Sequence, residues 1–146
     1  MYEGYRNHRH LYDDPSKSVD QNVKKRMLVG RDITPQKHSD LLTKRQDHQL
    51  IFKNAMADFD VLVTPTIVEP APKLDEIDED FMPGYFTRPF NYIDMSALAL
   101  PTAYTSNGLP TSLQIVVPAG QEDHVVQMGK ALESALALNK QPNLTP

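Results

Sequence analysis

The 146-residue sequence has no cysteine, which excludes disulfide bridges, cysteine nucleophiles and thiolate metal sites. It has no apolar run near the ~20 residues that a membrane-spanning helix needs, so no membrane association is expected. Its opening residues, MYEGYRNHRHLYDD, lack the apolar centre of a secretory signal, and a cytoplasmic location is expected. The six glycines are dispersed, and neither a phosphate-cradling loop nor a dinucleotide fingerprint can be assembled from them. No serine sits in a glycine-rich elbow, and no serine, histidine and acid set is marked by a motif. The net charge of −4 lacks the basic excess that nucleic acid would require. No cofactor and no metal are expected.

What is present is the composition of a globular chain. At 40% hydrophobic and 23% charged residues there is enough apolar surface to fold, and the length suits one domain. Residues 1–14 are polar and are expected to form a flexible lead-in. A helix is predicted from Pro15, with Val19, Val23 and Met27 at four-residue spacing and Gly30 as its C-terminal cap. Thr34 followed by Pro35 is a strong helix start. Leu41, Leu42, Ile51, Phe52, Ala55, Met56 and Phe59 then predict an amphipathic helix that runs to Phe59, completing a helix pair over 15–59. DVLVTPT (Asp60–Thr66) is a continuous apolar run ended by Pro65, and it predicts a strand covered on both faces. Ile67–Pro83, rich in proline and acids, reads as a long surface loop. Two more strands are predicted, near Leu98–Thr105 and Ser112–Val117. Asn107-Gly108 between them predicts a tight turn and an antiparallel pair. A closing amphipathic helix is expected from Gln121 to about Leu138, and 139–146 as a disordered tail.

Candidate chemistry is sparse. His8 and His10 with Asp13 or Asp14 have metal-ligand types, but a solvated terminus explains them more simply. The acidic run Asp75–Asp80 lacks the glycine and distal glutamate of a calcium loop. His38, His48 and His124 are scattered along predicted helices. Read by motif chemistry, the chain has no catalytic engine.

The order of its segments is more informative. A helix leads into DVLVTPT, then Ala71-Pro72, TRPFN (Thr87–Asn91), SALALP (Ser96–Pro101), GLPTSLQIV (Gly108–Val116), and a helix that opens with an acid pair. That series, from about Asp13 to about Leu138, resembles the C-terminal portion of the amidase signature family. The upstream VKKRMLVGRDIT and LLTKRQ resemble the helix pair before its strand. The resemblance implies an α/β fold: part of an α/β/α sandwich, with about three strands and three to four helices. Members hydrolyse or transfer carboxamide groups and include the A subunit of tRNA-dependent amidotransferases. Family catalysis uses a lysine and two serines beside a Gly-Ser-rich stretch that forms the oxyanion hole. All of these lie upstream of the matched region, and this sequence has no Gly-Ser-Ser-Gly-like segment, so no catalytic residue can be assigned. Many members have Gly, Pro and Cys-Gly where this chain has Asp94, Ser96 and Thr102-Ala103.

Two functional readings follow. The chain is a fragment of a carboxamide-hydrolysing amidase, inactive alone. Alternatively, it is a non-catalytic module that complements a separately encoded amidase core or pairs with a second copy, and then it is expected to present an apolar patch or an unpaired sheet edge. The implied substrate of the complete enzyme is a small carboxamide. Thr87, Arg88 and Asn91 are candidates for lining its pocket; the alternative is that Arg88 and Asn91 anchor loop backbone by hydrogen bonds.

Overall fold

The computed structural model of the chain describes residues 1–78 and 83–138. Two compact units are distinguished, one formed by Met1–Asp47 with Asp78, the other by His48–Ile77 and residues 83–138. The expected tail, 139–146, and part of the acidic loop lie outside the described residues.

The first unit contains α1 (Tyr2–Tyr12), α2 (Gln21–Leu28), a 3₁₀ turn over Val29–Asp32 and the start of α3 (Pro35–Ala55). The N-terminal residues expected as a lead-in are therefore helical. Their polar composition hides a set of specific ties. Tyr5 donates its hydroxyl to Asp13 Oδ2 at 2.7 Å, and Arg31 donates to Asp13 Oδ1 at 2.6 Å. The Tyr5 hydrogen bond, then Arg31, holds the Asp13 carboxyl below the usual carboxylate range. Gly30 is not a cap of α2 but part of the 3₁₀ turn. It is buried against the Met1 carbonyl and Tyr5 Cβ, where any side chain would strike backbone. The helix predicted from Pro15 starts only at Gln21. Asp14 takes the Ser16 amide at 2.9 Å and closes a turn, and Asp20 caps the helix by accepting from Val23 N at 2.9 Å.

Thr34 caps α3 as predicted, its Oγ1 accepting from Lys37 N at 3.1 Å. The predicted amphipathic face is not there: no α3 residue is buried, and the helix ends at Ala55 rather than Phe59. Geometry explains this, because a helix turns about 100° per residue and a nine-residue step places Leu50 opposite Leu41 and Ile51 opposite Leu42. Phe52 alone joins a core cluster.

The second unit is built on three strands, β1 (Leu62–Pro65), β2 (Met95–Tyr104) and β3 (Pro110–Pro118), in the order β1-β3-β2 with both pairs antiparallel. Two helices, α4 (Arg88–Tyr92) and α5 (Glu122–Leu136), accompany them. The sequence-based count of three to four helices thus misses α1 and the single-turn α4. The central strand carries the core: Gln114, Ile115, Val116 and Val117 are all buried. Val116 packs with Phe90 and Ile93 on one face; Ile115 and Val117 pack with Val125 of α5 on the other. Gly129 of α5 sits directly on Leu98. β1 was expected to be covered on both faces; Leu62 packs against the Phe90 cluster, but Val63, on the opposite face, is half exposed, and β1 is an edge strand with only β3 beside it. Pro101 is accommodated in β2 for the same reason: an edge strand has N–H positions that need no ladder partner. A bulge follows it, with Thr102 skipped between Pro101 and Ala103.

The antiparallel β2–β3 pair matches expectation, with a difference in its turn. Gly108 N bonds to Thr105 O at 2.9 Å, and Gly108 has φ +83°, while Asn107 does not share the left-handed conformation. The one non-glycine residue forced into that region within this unit's sheet approach is Asp94, at φ 62°. It follows the Ile93 C-cap of α4 and immediately precedes β2, so the left-handed turn at this one residue carries the chain from α4 into β2. Both Asp94→Ala and Asp94→Gly remove the side chain, so their difference isolates the backbone. The alanine variant should be about 1 kcal/mol less stable than the glycine variant. Equal urea midpoints for the two would refute that account.

Candidate functional site

The site begins with a polar residue in an apolar strand. Gln114 lies in the middle of SLQIVV and is only 3% exposed. Its Nε2 donates to Thr64 Oγ1 at 3.0 Å, to the Phe86 carbonyl at 2.9 Å and, more weakly, to the Pro65 carbonyl at 3.4 Å. Two of these partners are carbonyls and can only accept, so the amide must point its nitrogen toward them. Its Oε1 is left on the opposite side. Through these bonds one buried side chain fixes both the end of β1 and the segment leading into α4.

α4 is held at its other end as well. His48 Nδ1 lies 3.1 Å from the Tyr92 hydroxyl, and Gln49 Nε2 donates to the Ile93 carbonyl at 3.2 Å. Phe90 anchors the underside of the helix against Phe52, their rings 6.1 Å apart and edge to face. With α4 fixed on one side and β2 presenting Met95, Ala97 and Ala99 on the other, a hollow of about 260 Å³ remains. Thr66, Thr87, Asn91 and Gln114 supply its polar lining; Phe90, Met95, Ala97 and Ala99 supply the rest. No charged side chain lines it among the described residues. Thr66 Oγ1 is enclosed and has no hydrogen-bond partner among the described residues. Two larger hollows, about 430 and 620 Å³, contain no such unpartnered group.

Of the three residues singled out in the sequence, the structure brings Thr87 and Asn91 together at this hollow. The Thr87 hydroxyl donates a long 3.5 Å bond to the Gly84 carbonyl, and the Thr87 carbonyl accepts from Asn91 N at 3.2 Å. Arg88 is exposed and does not line the hollow; its side chain lies over Gly84. Thr66 and Gln114 were missed. The available signal was Gln114 itself, since a polar side chain in a buried strand must have partners.

Elsewhere the acid pair that opens α5 has a defined role. Ser96 donates to Glu122 Oε1 at 2.6 Å, and this bond, helped by backbone amides including Gly120 N, holds the Glu122 carboxyl below its ordinary range. Ser96 thus ties β2 to the start of α5. Among the described residues no cluster of three or more histidine or acidic side chains can hold a metal ion. No helix of the described residues is long and apolar enough to cross a membrane.

A sheet flanked by α4 and α5 and preceded by helices is an α/β arrangement shared with a solved amidase structure. The family model Amidase matches residues 4–126, and the chain belongs to that family. Over 138 residues it is 32% identical to the A component of the glutamyl-tRNA(Gln) amidotransferase of Halothermothrix orenii, a match covering 88% of this chain and 29% of that protein. The corresponding protein of Haloarcula marismortui is 33% identical over 121 residues, covering 77% of this chain and 28% of the relative. A crystal structure of an amidase superposes with a TM-score of 0.78 at 28% identity, covering 92% of this chain and 33% of that one. The chain therefore spans less than a third of the length of the curated relatives it matches.

Proposed function

We propose that this chain is the C-terminal part of an amidase that hydrolyses carboxamide C–N bonds, and that it is inactive by itself. The observation that carries this reading is the mismatch between the family match over residues 4–126 and the sequence within it, which has no Gly-Ser-rich segment. Amide hydrolysis needs an activated nucleophile and donors aimed at the developing oxyanion. Neither can be built from the residues around the hollow. Among the described residues that line the hollow none is a histidine or an acid that could serve its hydroxyls as general base, and its polar groups suit the holding of a neutral ligand. Nucleophile, proton relay and oxyanion donors must come from the remaining portion of the family fold, and this chain supplies a wall of the pocket. The proposed setting is cytoplasmic, with no cofactor and with a small carboxamide as substrate.

A second reading, that the chain complements a separately encoded amidase core, is favoured by its surface. Both β1 and β2 are sheet edges, and Phe59 (67%), Val63 (50%) and Tyr85 (71%) are exposed in the same unit. One experiment addresses both. The purified chain is expected to release no ammonia from benzamide or propionamide. Co-expression with an amidase N-terminal segment carrying the Gly-Ser-rich stretch is expected to produce hydrolysis. Turnover by the chain alone, abolished by a substitution within it, would overturn the proposal.

A further inference from the structure

The geometry points to the outer edge of β2, over Met95–Ala99, as a self-pairing surface that joins two copies of this chain into a dimer. The inference concerns assembly and does not depend on the amidase reading. Register identifies the free edge. Thr66 N donates to Ser112 O at 3.1 Å, and main-chain groups alternate along an antiparallel pair, so 112, 114 and 116 of β3 face β1. The groups of 113, 115 and 117 therefore face β2, where their partners are Leu100, Leu98 and Ser96. Met95, Ala97 and Ala99 then aim their N–H and C=O groups outward, and no strand lies beyond β2 among the described residues. Both ends of this segment are closed. Pro101, the next outward position, has no N–H, and Asp94 turns the chain away at φ 62°.

Two observations favour a second copy as the occupant. The first is charge. Residues 95–121 contain no aspartate, glutamate, lysine, arginine or histidine, in a chain with 23% charged residues. Burial accounts for this in β3 but not in β2, where Ala97, Ala99, Pro101 and Ala103 are exposed. An exposed edge normally carries a charge or a proline that blocks pairing. β1 has that protection, since Pro65 takes one of its outward positions and Asp58 and Asp60 precede it. The 95–99 segment has none. A net charge of −4 opposes contact between copies, and this edge is where that repulsion is weakest. The second observation is symmetry. The open segment is centred on Ala97, so a two-fold axis there sets the two Ala97 residues opposite each other and Met95 of each copy against Ala99 of the other. Every outward N–H then meets a C=O, giving about six main-chain hydrogen bonds, and the two three-stranded sheets become one. The same axis puts both α5 helices on one face of the joined sheet, each resting on its own Leu98 through Gly129. Val126 (42%) and Met128 (37%) are exposed on the flanks of α5 and add apolar cover beside the seam.

Sedimentation velocity and amide hydrogen exchange of the full chain, each followed across concentration, test the assignment. A dimer is expected at ~100 µM. Exchange at Ala97 and Ala99 should slow about tenfold between ~5 µM and ~500 µM, while Ser96 and Leu98, already bonded to β3, change little. Ala97→Lys sets like charges across the axis and should give a monomer of unchanged circular dichroism. Ala97→Pro removes the donor at the axis from an outward position, as Pro101 does within the intact strand, and should have the same effect. Val63→Lys adds the same charge at the β1 edge and should leave the dimer intact. The exchange measurement uses the unmodified chain and decides the matter if a variant fails to fold. A monomer up to ~500 µM, exchange at 97 and 99 that ignores concentration, a dimer that survives Ala97→Lys, or one lost in Val63→Lys would overturn the proposal. So would a chain that stays monomeric and protects these amides only when an amidase N-terminal segment is added, which would assign the edge to that segment.

Discussion

Replacement of Gln114 by leucine should destabilise the chain by about 2–4 kcal/mol although the side-chain volume hardly changes. Leucine fills the space but donates nothing. The Phe86 carbonyl loses a 2.9 Å bond and Thr64 Oγ1 a 3.0 Å bond, and each acceptor then sits partly desolvated without that donor. Losing a partner in this way costs more than losing both, because the remaining group has already been removed from water. The damage should also be directional. Gln114 connects β3 to β1 and to the segment before α4, so hydrogen exchange should rise first at residues 86–92 and only later along β2. Gln114→Glu should be no better, since an ionised carboxylate facing two carbonyls can only accept. Urea midpoints within about 1 kcal/mol of the parent for both variants would show that the amide is filler and not a tie.

Much of this architecture was legible in the sequence. The strands were found because DVLVTPT, SALALP and SLQIVV combine β-branched or small apolar residues with proline stops, and Thr34-Pro35 announced α3 by a local mechanism that needs no tertiary partner. The failures have physical causes of the same kind. α1 was missed because its stability comes from Tyr5, Asp13 and Arg31, the last contact spanning 18 residues, and no local pattern encodes it. The amphipathic reading of α3 failed on phase: its apolar residues are numerous, but their spacing spreads them around the helix. β1 was read as doubly covered because three adjacent apolar residues look alike whether the second face of a strand is covered or, as at Val63, left half open. At the site, Thr87 and Asn91 were visible as part of an unusual segment, while Thr66 and Gln114 acquire meaning only from the register that sets Thr64 opposite Gln114. A polar side chain in a buried strand announces that partners exist; it does not say which.

Truncation of Phe90 to alanine should be the more damaging change, about 3–5 kcal/mol, the usual range for removing a buried phenylalanine. Phe90 is 8% exposed and joins Ile93 and Val116 in the cluster on the α4 face, with Phe52 packed edge to face against it. α4 has five residues, too few to hold together through its own hydrogen bonds, so its position depends on this side chain. Without it, Thr87 and Asn91 lose the frame that sets them against Ala97 and Ala99, and the hollow should lose its shape together with its stability. Phe90→Leu restores most of the buried area but not the ring contact, and should recover more than half of the loss. The two variants separate packing from geometry: hydrogen exchange at residues 88–92 should rise sharply in Phe90→Ala and only slightly in Phe90→Leu. If Phe90→Ala melts within a few degrees of the parent, then α4 is held chiefly by Gln114, His48 and Gln49, and the apolar cluster is secondary to those polar ties.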